Sequence, residues 1–240
     1  MWPKRSAIAG NRRVPDRLPP DRPAHEPATR ERAPAPNAIS RDAHLPGAIL
    51  LALIWAAWLW HLPQGSMTGW GLSAAALAAG RFDTIVLHMF AHAGLMHIGF
   101  NSVVLFSVAG PLLTWMGAAP ASWLRFFAFY LFAGFAGAAL YLAINPAGVV
   151  PVVGASGAIS GLIGLLSRLS DEHKGLVPLF SAEMGRRFWH FVRANLWLVL
   201  LFTVPVVLFG GGGGIAWEAH LGGFLAGLLG ARLVLVDARR

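Results

Sequence analysis

The sequence contains no cysteine and few charged residues. The absence of cysteine from its 240 residues excludes a disulfide framework, a thiolate nucleophile and a cysteine-ligated metal. Charged residues make up only 12% of the chain, against roughly 25% in an ordinary soluble domain. Hydrophobic residues make up 56%, and the mean hydropathy is +0.58. Such a chain cannot cover a water-facing surface, so its composition predicts a membrane protein.

The positive charge is unevenly distributed. The formal net charge is +8, and nine of the nineteen Lys and Arg residues precede residue 45. Most others lie beside apolar stretches, and no basic patch is interleaved with aromatic residues. We therefore attribute the charge to membrane topology and expect no nucleic-acid partner. Since basic residues accumulate on the cytoplasmic side, both termini are predicted to be cytoplasmic.

The chain divides by composition into two parts. Residues 1–44 hold eight of the sixteen prolines and few large apolar residues, which predicts a disordered, Arg- and Pro-rich cytoplasmic tail. Residues 45–240 predict an all-α, polytopic membrane domain, because their apolar stretches approach the ~20 residues that cross a bilayer. Six spans are predicted, over 46–62, 93–116, 122–144, 152–170, 190–210 and 215–236.

Polar residues recur at one depth in the predicted bundle. His97 and Asn101 lie near the start of the second span, Ser156 near the start of the fourth, and His220 near the start of the sixth. These three spans run in the same direction, so their polar groups fall roughly 6–12 Å below the outer boundary at 1.5 Å per residue. An unsatisfied polar group in hydrocarbon costs several kcal/mol, so the shared depth indicates one buried polar site.

These residue types suit nucleophilic catalysis. A serine hydroxyl needs a neighbouring base, and His220 can serve Ser156 in that role near neutral pH. His97 and Asn101 are four residues apart on one helix face, where both side chains could point at a developing oxyanion. The backbone N–H of Ser156 could add a further donor.

Glycines predict close contact between the fourth and sixth spans. Gly154 and Gly157 flank the serine, and Gly223 and Gly227 follow His220. Small residues let helix backbones approach closely, which would bring Ser156 and His220 within hydrogen-bond reach.

Three motifs in order resemble the rhomboid family of intramembrane serine proteases. His92, His97 and Asn101 match its His-x4-His-x3-Asn pattern, and Gly154 to Gly157 match its Gly-x-Ser-Gly. The stretch from Ala219 to Gly227 matches its Ala-His-x2-Gly-x3-Gly.

The resemblance implies a six-transmembrane-helix rhomboid-like bundle with a Ser–His dyad. Ser156 would be the nucleophile and His220 the base, while His97 and Asn101 would form the oxyanion hole. His92, Gly154 and Gly157 would support the site. The substrate would be a transmembrane segment of another protein in the lipid bilayer, cut near the outer face, with no metal or other cofactor.

The sequence departs from the family pattern in three ways. The Trp-Arg pair common in the loop after the first span is missing, and residues 1–44 exceed the family core. Ser160 replaces the aromatic residue often found one turn after the serine. The imidazole of His220 is therefore predicted to be held differently, by Glu218 or by a water.

Two other functions are compatible with intramembrane polar groups. One is a non-catalytic rhomboid-like protein that binds transmembrane clients, although such a relative would be expected to have lost Ser156 or His220. The other is a transporter or metal carrier, which should place ligands through both leaflets. The inner half of the predicted bundle has almost none. The compact six-helix form suits a bacterial inner membrane, with the site opening to the outer face.

Overall fold

The computed structural model describes residues 41–117, 119–170, 175–209 and 214–235. Most of the predicted tail therefore lies outside the described residues, and its predicted disorder stays a prediction. Its last four residues form a short 3-10 helix, Arg41–His44. This leads directly into the first long helix.

Helices account for nearly all of the described architecture, which confirms the all-α prediction. The helices are α1 (Leu45–His61), α2 (Ala74–Ala78), α3 (Thr84–Leu87), α4 (Leu95–Met116), α5 (Ala121–Ile144), α6 (Ser156–Ser167), α7 (Ala182–Phe209) and α8 (Trp217–Leu235). Among the described residues, the one sheet is an antiparallel pair of two-residue strands, β1 (Leu169–Ser170) and β2 (Gly175–Leu176). A long helix or, for α6, a short one occupies each predicted span.

In the described part of the chain, four helices are long and apolar enough to cross a membrane. They are α1 with the residues that follow it to Gln64, α4, α5 and α8. Helix α7 has 28 residues and begins at Ala182 rather than near residue 190, because a polar amphipathic stretch precedes its apolar half. Together with the outward-facing apolar side chains, these spans make the chain an integral membrane protein.

The fourth predicted span is shorter than expected. Helix α6 has 12 residues, about 18 Å at 1.5 Å per residue, against about 30 Å for the hydrocarbon core. Residues 152–155 are included in the predicted span, but they are not helical. Val152 forms an antiparallel bridge with Leu72, and Gly154 has a φ of 120°, outside the helical region. The helix therefore begins at Ser156 itself.

Helix α8 packs closely on α5 and α6 through glycines. A methyl group on Gly223 would overlap the carbonyl oxygen of Gly157, and one on Gly222 would lie 2.8 Å from the carbonyl oxygen of Ala136. The predicted close approach of the glycine-bearing helices is therefore present. It draws the first turns of α6 and α8 together.

The loop between α1 and α4 packs against the stretch that precedes α6. Leu72 and Val152 exchange backbone hydrogen bonds of 3.0 and 2.8 Å, and the N–H of Gly154 donates to the carbonyl of His88 at 2.8 Å. Within this loop, Arg81 bonds Asp83 and the carbonyl of Gly69. This loop thereby fixes the backbone just before Ser156.

Candidate active site

Ser156 and His220 lie at the starts of two adjacent helices. Ser156 is the first residue of α6, and His220 is in the first turn of α8. The Oγ of Ser156 lies 2.7 Å from the Nε2 of His220, a short hydrogen bond. His220 is only 5% exposed, whereas Ser156 is partly exposed. Ser156 is thus the more accessible member of the pair, and the imidazole is buried beside it.

The other imidazole nitrogen of His220 contacts α7. Its Nδ1 lies 2.5 Å from the Oδ1 of Asn195, whose Nδ2 donates to the carbonyl of Phe191 at 3.0 Å. An amide oxygen can only accept, so Nδ1 carries the proton and Nε2 presents its lone pair to the Ser156 hydroxyl. The histidine tautomer is set by this neighbour.

Asn195 is not among the residues predicted from the sequence, where Glu218 or a water is predicted to hold the imidazole of His220. In the structure, Glu218 accepts a hydrogen bond of 3.3 Å from Asn145, and Asn195 contacts His220. The Glu218 hypothesis is therefore wrong. A signal for Asn195 was available, because an amide within the apolar part of a helix requires a partner.

His97 and Asn101 converge on Gly154, two residues before Ser156. A methyl group on Gly154 would lie 2.7 Å from His97 Nε2 and 3.6 Å from Asn101 Nδ2. The N–H of Ala93 donates to His97 Nδ1 at 3.4 Å, so a neutral His97 carries its proton on Nε2. The Nδ2 of Asn101 is buried and has no acceptor among the described residues. Two N–H donors therefore face the backbone that leads into Ser156.

Glycine is required at position 154 by both conformation and space. Its φ of 120° is rarely adopted by residues with a Cβ atom, and a side chain would meet the His97 ring. Gly157 is less constrained, since a methyl group there would lie 3.3 Å from the carbonyl oxygen of Ala219. Both predicted supporting glycines thus lie at close contacts around the serine.

His92 lies in the loop just before α4, one residue before the predicted second span. Its ring plane is inclined by 63° to that of His97, with ring centres 5.0 Å apart, and its Nδ1 lies 3.2 Å from the carbonyl oxygen of Phe90. Burial, with a smaller contribution from His97, lowers the pKa of His92 to about 4. His92 is therefore neutral at pH 7 and supports the His97 ring.

A metal centre is not formed by the described part of the chain. No group of three or more His, Cys, Asp or Glu side chains there is arranged to hold a metal ion. That the reaction uses no metal or cofactor stays a prediction.

Comparison with known proteins agrees with this architecture. The Rhomboid domain family matches residues 79–236, which is more than half of the chain and includes α4 to α8. Rhomboid protein 1, mitochondrial, from Saccharomyces cerevisiae is 30% identical over 153 residues, which cover 61% of this chain and 40% of the yeast protein. The chain thus spans less than half of that relative's length. From the extent of the domain match, the chain belongs to the rhomboid family.

Proposed function

We propose that the chain is an intramembrane serine endopeptidase that hydrolyses peptide bonds in or near transmembrane segments of other membrane proteins. The observation that carries this proposal is the 2.7 Å hydrogen bond between Ser156 and His220, with the proton of His220 directed to Nδ1. That arrangement provides a hydroxyl beside a free imidazole lone pair, as a serine nucleophile requires.

The reaction proceeds through an acyl-enzyme. His220 Nε2 takes the Ser156 proton as Oγ attacks the scissile carbonyl, and the carbonyl oxygen becomes an oxyanion. Collapse of the tetrahedral intermediate breaks the C–N bond, and Nε2 gives its proton to the leaving amine. A water then attacks the ester, again with His220 as base, and Ser156 regains its proton.

The oxyanion is stabilised by His97 and Asn101. Both present N–H groups near Gly154, and the backbone N–H of Ser156 lies at the positive end of α6. Donors held in place before the reaction stabilise the developing charge without reorganisation. His92, Gly154 and Gly157 maintain this geometry, and no metal or cofactor takes part.

The partners that follow from this function are a transmembrane protein substrate and the lipid bilayer, without nucleic acid. The basic residues support an orientation with both termini in the cytoplasm and the site opening to the outer face. Location in a bacterial inner membrane stays a prediction, and so does the whole enzyme's choice of substrate.

The test is cleavage of a model transmembrane substrate by purified protein in liposomes. Wild type should cleave, and Ser156→Ala and His220→Ala should not. Ser107→Ala is the matched control, because this exposed α4 hydroxyl only bonds the carbonyl of Val103, at 2.7 Å. Activity that survives Ser156→Ala would refute the proposal. Binding of the substrate without cleavage by wild type would instead favour a non-catalytic client-binding protein.

A further inference from the structure

We propose that Asn195 on α7 is a positioning residue that holds His220 in the tautomer and orientation needed to activate Ser156. The inference rests on the proposed protease function. Neither the family's three motifs nor the predicted dyad includes a residue of this helix.

The orientation of the Asn195 carboxamide is fixed by two hydrogen bonds. Its Nδ2 donates to the carbonyl of Phe191, one turn earlier, at 3.0 Å, which leaves Oδ1 facing His220 Nδ1 at 2.5 Å. A flipped amide would put an N–H donor against Nδ1 and lose the bond to Phe191. The bonded arrangement therefore selects the imidazole with its proton on Nδ1.

Aromatic packing one turn away brings Asn195 and His220 to the same level. Phe191 lies four residues before Asn195, and Phe224 lies four residues after His220. The Phe191 and Phe224 rings stack with centres 3.8 Å apart and planes 15° apart. Helix α8 follows α7 after a short connection and runs antiparallel to it. One turn before Asn195 on α7 therefore lies level with one turn after His220 on α8. The stack thus helps to hold α7 and α8 in the register that brings Asn195 and His220 together.

The predicted support of the imidazole by Glu218 is not formed, and the residue one turn after Ser156 is small. Glu218 bonds Asn145 instead, and Ser160 gives α6 no aromatic ring one turn after Ser156. The hydrogen bond from Asn195 on α7 thus holds the imidazole at Nδ1.

Loss of the Asn195 oxygen has a specific chemical consequence. Without an acceptor for Nδ1–H, the tautomer protonated at Nε2 becomes competitive. That tautomer cannot accept the Ser156 proton. The imidazolium formed during the reaction would also lose its hydrogen-bond acceptor at Nδ1.

The experiment compares Asn195→Leu, Asn195→Asp and the control Asn145→Leu in the liposome cleavage assay, with pH profiles and thermal unfolding. Asn145 is a matched control because its Nδ2 also donates to the carbonyl one turn earlier, that of Tyr141, at 3.0 Å, but its second hydrogen bond goes to Glu218 rather than to His220. Loss of one buried hydrogen bond predicts a kcat about 10- to 100-fold lower in Asn195→Leu, with KM little changed.

The pH profile separates positioning from a general structural effect. The acidic limb of kcat should move to lower pH in Asn195→Leu and to higher pH in Asn195→Asp, whose carboxylate holds the same proton and stabilises the imidazolium. Asn195→Asp should also recover activity relative to Asn195→Leu, and Asn145→Leu should stay within about twofold of wild type.

Two outcomes overturn the inference and leave the protease intact. One is an Asn195→Leu enzyme with wild-type kcat and an unshifted acidic limb. The other is an equal loss in Asn195→Leu and Asn145→Leu that follows their loss of thermal stability. Activity in Ser156→Ala would instead refute the proposed function itself, so the two failures are distinguishable.

Discussion

Replacement of Asn101 by alanine should lower the rate of peptide cleavage without a matching loss of stability. The buried Nδ2 of Asn101 has no acceptor in the described ranges, so the folded state loses no hydrogen bond from this nitrogen in the variant. In the transition state the same N–H would face the oxyanion. Removal of one such donor costs about 10²- to 10³-fold in kcat, or roughly 3–4 kcal/mol.

Ser102→Ala, at the next residue of α4, should have the opposite effect, a loss of stability with little change in the rate of cleavage. The Ser102 hydroxyl accepts from Trp55 Nε1 at 3.0 Å and donates to the carbonyl of Ile98 at 2.7 Å. Its removal breaks a contact between α1 and α4 but leaves the catalytic groups in place. We expect a loss of about 1 kcal/mol in the free energy of unfolding and little change in kcat.

Both variants can be measured in one assay series. Initial rates on a model transmembrane substrate in liposomes give kcat and KM, and thermal unfolding in the same lipid gives stability. The reasoning is refuted if Asn101→Ala keeps kcat within about threefold of wild type. It is also refuted if the loss appears only in KM, because an oxyanion donor acts on the transition state rather than on substrate binding.

Further predictions concern packing, backbone and pH. Gly227→Ala should destabilise the bundle by about 1–3 kcal/mol in thermal unfolding, since a methyl group would lie 2.7 Å from the Cα of Gly164; Gly185→Ala, with nothing within 4 Å, should be neutral or slightly stabilising. Gly154→Ala should abolish cleavage, because its methyl group would push the His97 ring away; normal activity would contradict this. His92 has a pKa lowered to about 4, so the unfolded chain binds its proton first as the pH falls. Stability should therefore decline between about pH 6.5 and pH 4 and then level off, and His92→Gln should flatten this dependence in unfolding measured against pH.

Most of the fold could be predicted from hydropathy, because a helix that satisfies its own backbone is the simplest way to cross hydrocarbon. The predicted spans near α1, α5 and α8 agree with the structure to within two residues at each end. The prediction for α6 was wrong at its start, because apolar composition does not distinguish a helix from an extended strand. Val152 is apolar, but its backbone pairs with Leu72.

Some of the residues of the candidate site could be predicted from the sequence. Ser156, His220, His97 and Asn101 share one depth, and depth can be counted along a sequence. Asn195 also lies in an apolar helix, but its relation to His220 depends on which face of α7 meets α8. Phe191 stacks on Phe224 and so fixes the face of α7 that meets α8. Counting residues along one helix cannot predict this contact between two helices.

The shortness of α6 predicts that Ser156 lies below the membrane surface rather than at it. Arg187 bonds the carbonyls of Ser167 and Leu169 at 2.9 and 2.6 Å, which marks the C-terminal end of α6 as the polar boundary. From that boundary, the 12 residues of α6 rise about 18 Å, so Ser156 stops about 12 Å short of the opposite side of a 30 Å core. Residues 152–155, which precede the helix, are not helical, and Val152 is bridged to Leu72 of the loop between α1 and α4. A hydroxyl at this depth can meet a peptide bond of a transmembrane helix only if that helix enters the bundle, and hydrolysis requires that water enter from the same side.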